Sequence, residues 1–236
     1  MIDLYLLKQG IEELGLSASE SQIELMDQYA EALIEKNKVM NLTRITEPEK
    51  ILTDHFLDSL TTLLADTPKD GDLFLDIGTG AGFPGVPIAI MNPNSKIVML
   101  DSTAKKINFV KETCQNLSIS NVDFLTGRGE ILAHNRDFRE KFECVAARAV
   151  SDLKILSEIA LPFVKLGGVF IALKSINIKD EVQRSQNTIK NLGGVIEEIK
   201  TLKVPVSNTE KALIIIKKIS KTQKKYPREY GEIIKK

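Results

Sequence analysis

The ten residues Asp76-Ile77-Gly78-Thr79-Gly80-Ala81-Gly82-Phe83-Pro84-Gly85 constrain this chain more than any other segment. They follow a short apolar run, Leu73 to Ile77, which reads as a buried strand. They lead into Pro84 to Met91, a stretch that can begin a helix at its proline. Four glycines in ten residues let the backbone turn tightly and approach a ligand closely. A strand, a glycine turn and a helix in that order build a ligand site at the carboxyl end of a parallel strand.

The rest of the chain supplies the sheet that this site requires. Leu4, Leu7, Ile11 and Leu14 recur at helical spacing until Gly15, and Ile23, Met26, Ala30, Leu33 and Ile34 form the next apolar stripe after Ser19 to Ser21. Asn41-Leu42-Thr43 reads as a loop, and Pro48 opens a further helix carrying Ile51, Leu52, His55, Phe56 and Leu60. Beyond Leu73 the period changes. Strands are expected at Ile97 to Leu100, Val122 to Leu125, Glu143 to Ala147 and Val169 to Leu173, the last after a break at Gly167-Gly168. Helices fall between them, at Lys105 to Leu117, Asp152 to Val164 and up to about Leu192. Val195 to Leu202 and Ala212 to Ile219 close the chain as an antiparallel β-hairpin. This is an α/β pattern: a mainly parallel sheet with helices on both faces, plus one antiparallel hairpin. The segments divide as 1–66, an N-terminal helical extension; 67–220, the sheet domain; and 221–236, a basic C-terminal tail, together expected to form one compact unit.

The window from Gly80 to Gly85 matches G-x-G-x-x-G, which by pattern suggests NAD. Three features argue for another ligand. The glycines start four residues beyond Asp76, Pro84 removes an N–H where a pyrophosphate needs donors, and the Asp76 carboxylate repels phosphate. The same carboxylate suits a ligand with an ammonium and a sulfonium. S-adenosylmethionine has both and no phosphate. Asp101 ends the second strand and can accept hydrogen bonds from two ribose hydroxyls, in either ligand.

Net charge is zero, but it is unevenly spread. Met1 to Asp66 holds five basic and thirteen acidic side chains, so the remainder carries the opposite excess. Lys221, Lys224, Lys225, Arg228, Lys235 and Lys236 make the last stretch basic, either to face a polyanion or as a solvated tail. No apolar run reaches about 18 residues, so no membrane partner is expected. Met1 to Gly10 lacks the pattern of a signal peptide, and the two cysteines, Cys114 and Cys144, sit in apolar segments. A cytoplasmic protein with reduced thiols is the expectation.

With these residues in view, the chain resembles the RsmG (GidB) family of bacterial 16S rRNA guanine-N7 methyltransferases. The resemblance runs from about Asn41 to Gly231. It rests on Asn41-Leu42-Thr43, His55 with Asp58-Ser59-Leu60, the segment Asp76 to Gly85, Asp101-Ser102, Lys105, Gly127-Arg128 with Glu130, Arg148-Ala149-Val150 and Tyr226-Pro227-Arg228. It implies a class I S-adenosylmethionine-dependent methyltransferase fold, Rossmann-like, with the N-terminal helical extension. It also implies methylation at N7 of one guanosine in the decoding-region loop of 16S rRNA. Cofactor contacts carry over to Gly78, Phe83, Gly129, Glu130 and Arg148, with Ser102, Thr103 and Ala104 beside Asp101. Three positions depart from the family pattern: Lys106 where arginine is common, Gly129 where alanine or valine is usual, and Ser175 where glycine is common.

Guanine N7 has an exposed lone pair and no proton, so its methylation is a direct displacement that needs alignment but no general base. The sequence agrees by omission. The fourth strand ends in Arg148-Ala149-Val150, not in an Asn/Asp-Pro-Pro-aromatic motif for an exocyclic amine, and no Pro-Cys pair offers a nucleophile. No catalytic acid or base is therefore assigned. Arg148 can bind guanine O6, a phosphate or the cofactor, or form a structural ion pair. His55, Asp58 and Ser59, within one turn, orient their helix against the sheet or touch RNA, and His134 is expected exposed. No residue set has metal-ligand spacing. RNA contact is expected from Arg44, Lys174, Lys224, Lys225 and Arg228, with Phe83 and Tyr226 as stacking partners. The expected partner is 16S rRNA or a small-subunit particle, and the expected state is a monomer. A methyltransferase for another RNA or a small molecule, an oxidoreductase and a non-catalytic RNA-binding assembly factor are the rival readings.

Overall fold

Seven strands form one sheet in the order β3-β2-β1-β4-β5-β7-β6. The computed structural model describes residues 1–66, 68–148 and 151–235. Thr67, where the expected sheet domain begins, Ala149-Val150 of the Arg-Ala-Val motif, and Lys236 lie outside the described residues.

Two helices come first. In α1 (Leu4–Glu13) Asp3 caps the N-terminus by accepting from the Leu6 N–H, and in α2 (Glu20–Met40) Ser19 and Gln22 form a reciprocal capping box. Asn41 ends α2 in the left-handed region, at φ 48°. The helix expected after Pro48 is composite. α3 (Pro48–Lys50) passes into a π-helical stretch, Ile51–Leu57, then α4 (Asp58–Leu60) and a 3₁₀ turn, Thr61–Leu64. π-helical turns mark functional sites more often than chance, and this one carries Asp54 and His55.

The sheet follows: β1 (Leu73–Ile77), α5 (Gly85–Met91), β2 (Lys96–Asp101), α6 (Ala104–Asn116), β3 (Val122–Thr126), α7 (Gly129–Leu132) and β4 (Phe142–Arg148). Then come α8 (Leu153–Ala160), β5 (Val164–Ser175), α9 (Lys179–Asn191), β6 (Gly194–Lys203), β7 (Glu210–Lys218) and α10 (Tyr230–Ile233). β3, β2, β1, β4 and β5 run parallel, and β7 lies antiparallel to both β5 and β6, as the closing hairpin requires. One apolar cluster, from α1, α2, α5 and α6, covers one face, and a second, with α8 and α9, covers the other. Strand order reverses between β1 and β4, and a crevice at the carboxyl ends of such strands is where α/β sheets bind ligands.

Two expectations are corrected. The helix expected to reach Val164 stops at Ala160, and Gly167-Gly168 lie inside β5 rather than before it. Val164 already pairs with Phe142, and the register shifts before Cys144 meets Val169, so the glycines form a bulge, with Gly167 at φ +82°. The last stretch is also not a free tail. Arg139 donates to the carbonyls of Thr222, Gln223 and Tyr226. Lys218 is fully buried, donating to the carbonyls of Leu161 and Leu192 and to the Thr222 hydroxyl.

Candidate active site

The glycine loop is pinned at both ends before it meets any ligand. Gly78 and Thr79 donate their N–H groups to the Leu100 carbonyl at 2.7 and 3.1 Å, tying the loop to the end of β2. Asp76 Oδ2 accepts from the Gly85 N–H at 2.8 Å, at the start of α5. Asp76 is completely buried and does not face an open cavity. The expected role of its charge is thereby corrected: the carboxyl holds the helix start, and burial pushes its pKa up to about 7 against the pull of the Gly85 N–H.

A cavity of about 460 Å³ opens beyond the ends of β1, β2 and β3. Gly78, Asp101, Ser102, Thr103, Gly129, Glu130 and Arg148, seven of the nine expected cofactor residues, line it. Asp101 Oδ1 accepts from the Thr103 N–H at 2.8 Å and Oδ2 from the Gly80 N–H at 3.0 Å, which fixes the carboxylate while leaving lone pairs for hydroxyl donors. Glu130 is buried and paired with Arg128, whose guanidinium lies 4.6 Å from the centre of the Tyr230 ring. Tyr230 and Lys106 line the cavity as well, and neither was singled out for it from sequence. Tyr230 is 129 residues beyond Asp101 in number and reaches it only because the last stretch docks. Ala104 is exposed at the start of α6 and does not line the cavity, and Phe83 lines the neighbouring one.

The acceptor set suits a nucleoside. Asp101 offers the paired acceptor that ribose hydroxyls need. At Gly129 a Cβ would meet Ile159 Cγ2 at 2.6 Å, between two lining residues, so glycine keeps this wall open.

A second cavity, of about 640 Å³, shares Gly78 and Arg148 with the first. Arg148, at the end of β4, donates to Asp58 Oδ2 at 2.9 Å, to the Asp54 carbonyl and to His55 Nδ1 at 3.0 Å. Asp58 Oδ1 lies 3.3 Å from Lys211 Nζ. Burial, reinforced by the Arg148 charge, lowers the His55 pKa to about 3. A neutral imidazole accepting at Nδ1 carries its proton on Nε2, so His55 donates to Thr43 Oγ1 at 3.0 Å. Phe83 stacks on His55, with ring centroids 4.4 Å apart. Arg148 thus combines two of its expected roles: an ion pair that binds the composite helix to the sheet, and a cation at the junction of the cavities.

The expected RNA-contacting residues scatter. Lys174 lines the second cavity but is held by Glu181 at 2.5 Å and by the Ser151 carbonyl. Arg44 is exposed beside a third cavity. Lys224 and Lys225 are exposed away from both cavities, and Lys225 sits over Tyr226. Arg228 is corrected to a structural role: it forks onto Glu158, a carboxylate only 1% exposed, at 2.7 and 2.8 Å. His134 is exposed as expected, with Nε2 2.8 Å from the Pro227 carbonyl.

The family model for GidB, rRNA small subunit methyltransferase G, matches residues 22–214. The chain is 42% identical over 231 residues to the ribosomal RNA small subunit methyltransferase G of Alkaliphilus metalliredigens, covering 98% of this chain and 97% of that protein. It is 43% identical over 227 residues to the protein of the same name from Lachnoclostridium phytofermentans, covering 96% and 94%. Among solved structures, it is similar to a SAM dependent methyltransferase from Aquifex aeolicus, with TM-score 0.55 and 14% identity over 76% of this chain and 97% of that one. It is also similar to precorrin-6y C5,15-methyltransferase from Geobacter metallireducens, with TM-score 0.52 and 14% identity over 75% and 92%. These two likenesses show the fold.

Proposed function

Because the chain belongs to the rRNA small subunit methyltransferase G family, we propose that it methylates N7 of a specific guanosine in the decoding-region loop of 16S rRNA, by direct displacement without a general base. S-adenosylmethionine is the methyl donor, and when bound it supplies an electrophilic methyl carbon on a positively charged sulfur. The observation that carries the reading is the meeting of two cavities at Gly78 and Arg148. One holds ribose-type acceptors, and the other is rimmed by Arg148, Lys174 and Lys211. The first is the cofactor side and the second the target-base side.

The chain's own groups support positioning rather than proton transfer. His55 has both ring nitrogens engaged and resists protonation down to about pH 3, which makes it a poor base near neutrality. Asp58 is committed to Arg148 and Lys211. Asp76 is sealed behind the loop. N7 requires none of them, since its lone pair points into the major-groove edge without a proton. Arg148 can donate to guanine O6 and orient the base while leaving the N7 lone pair free to attack.

The test supplies methyl-labelled S-adenosylmethionine with small-subunit particles and with free 16S rRNA, both lacking the modification. Nucleoside mass spectrometry should place the label on 7-methylguanosine at one position. Label on another base, on a small molecule only, or nowhere despite cofactor binding would overturn the N7 reading.

A further inference from the structure

The third cavity, a groove of about 870 Å³, opens where α2 ends and joins both of the others. It shares Lys106 with the cofactor cavity, and Leu42, Thr43 and Ile45 with the target-base cavity. Its polar lining includes Asn37, Lys38, Thr43, Arg44 and Lys106, and no acidic side chain lines it among the described residues. That is unexpected in this part of the chain, where Met1 to Asp66 carries thirteen acids against five bases. Two of those five bases, Lys38 and Arg44, line the groove, Lys38 in an exposed pair with Glu35 at 2.5 Å that a phosphate can compete for.

The groove wall is built, not incidental. The Asn37 side chain accepts from the N–H groups of Leu42 and Thr43, at 2.6 and 2.9 Å, and donates to the Thr43 carbonyl at 3.0 Å. Asn41, left-handed, turns the chain so that this fold-back can form. Thr43 Oγ1 accepts from both His55 Nε2 and the Ile45 N–H, so its own proton is left to donate outward. Through His55 the same hydroxyl is fixed to Arg148, at the junction of the other two cavities.

We propose that this groove carries the RNA backbone flanking the target nucleotide, with Lys38 and Arg44 on successive phosphates and the Thr43 hydroxyl setting the strand's register against Arg148. The inference rests on the rRNA reading and deepens it. Charge selects a polyanion, and continuity with the target-base cavity selects the strand that bears the base. In the basic last stretch Arg228 is engaged by Glu158, and Lys224 and Lys225 line neither this groove nor the cavities it joins.

The test measures binding of full-length protein to a single-stranded 16S rRNA fragment containing the target loop, across salt concentrations, with methylation of the small-subunit substrate alongside. In Lys38→Glu/Arg44→Glu, RNA affinity should fall several-fold or more at low salt, and the slope of log affinity against log salt should shrink by about 0.7 per lost phosphate contact. Cofactor affinity should hold, because neither residue lines the cofactor cavity. Lys141→Glu/Lys190→Glu, at two exposed lysines that line none of the three cavities, changes charge equally elsewhere and should cost little. Equal losses in both double variants would reduce the effect to overall charge and overturn the groove. Thr43→Val should lower the methylation rate more than RNA affinity, and Thr43→Ser should restore it. If the wild-type protein methylates the subunit while the groove variant keeps its affinity and slope, the groove fails alone. If the wild-type protein neither binds nor methylates it, the rRNA reading fails with it.

Discussion

The two cavities that meet at Gly78 and Arg148 are built by different means. The proposed cofactor side is made largely of groups at strand ends: Gly78, Asp101 with its two N–H donors, and Gly129. Its principal side chain lies within 25 residues of the loop it serves. The target-base side is made of side chains brought together over long separations, Arg148 to Asp58 and His55, and Lys211 to Asp58. Local construction resists substitution elsewhere in the chain. Long-range construction makes the site depend on the docking of the N-terminal helices. The first cavity should therefore fail by losing its ligand, and the second by losing the fold around it.

The largest effect should come from Asp58→Ala. Its side chain is 3% exposed and faces two cations, so removal leaves Arg148 and Lys211 without their shared counter-charge. Breaking a buried pair by deleting one partner costs about 3–5 kcal/mol. Urea denaturation should show a loss of that order, with methylation falling further than cofactor affinity. A loss below about 1 kcal/mol would mean that the second cavity is not held by this network.

Asp101→Ala should invert that pattern. The protein should stay folded while S-adenosylmethionine affinity, read by calorimetry, drops by about 2–3 kcal/mol, roughly a hundredfold. Equal damage to stability and affinity would erase the distinction between the two cavities.

The comparison extends to pH through two buried groups, His55 beside the second cavity and Asp76 behind the glycine loop. His55 titrates near 3 when folded, against an ordinary value of 6.5. The unfolded chain takes up that proton first, so the stability tied to neutral His55 is present above pH 6.5 and lost as pH falls toward 3. Asp76 titrates near 7 when folded, against 3.8. The folded state keeps that proton longer, so the stability tied to it is present below pH 3.8 and lost as pH rises toward 7. Between about pH 4 and 6.5 the two slopes oppose each other. Asp76→Asn should leave a stability that rises with pH across this window, by about 1.4 kcal/mol per unit. His55→Gln should leave one that falls. Denaturation series at four or five pH values would show it, and parallel slopes in both variants would refute the pairing.

The same contrast explains what the sequence disclosed. The glycine loop, Asp101 and the alternation of strands and helices are signals of short range, where spacing alone fixes which groups meet. The family pattern placed Arg148 and Glu130 with Asp101, and the three line one cavity. Asp76 was misread because strand position does not show which way a carboxyl faces, and the Gly85 N–H claimed it. Arg228 was misread because Glu158, 70 residues away, could not be seen as its partner. The break at Gly167-Gly168 turned out to be a bulge because pairing with β4, not the glycines, decides where β5 starts. The composite helix shows the same limit: apolar spacing announced a helix from Pro48, but not the π-helical stretch that sets Asp54 and His55 toward Arg148.

Tyr230 gives the smallest effect and a sharp test of the local-versus-distant distinction, since among the described lining residues it is the one farthest along the chain from the glycine loop. It lies over Arg128, which pairs with Glu130, and it lines the cofactor cavity from α10. Arg228 on Glu158 and Arg139 on three carbonyls anchor the stretch that carries it. Tyr230→Ala removes a partly exposed ring and leaves those anchors intact, so stability should hardly change. Cofactor affinity should fall only a few-fold, as expected for one aromatic–guanidinium contact at a wet rim. Glu158→Gln loosens the anchor without touching the cavity, and it should reproduce the same few-fold loss together with a measurable drop in thermal stability. If Tyr230→Ala instead matched Asp101→Ala in affinity, the cofactor cavity would depend on distant docking as much as its neighbour does. If neither variant moved affinity, α10 would be packing against the rim without shaping the site.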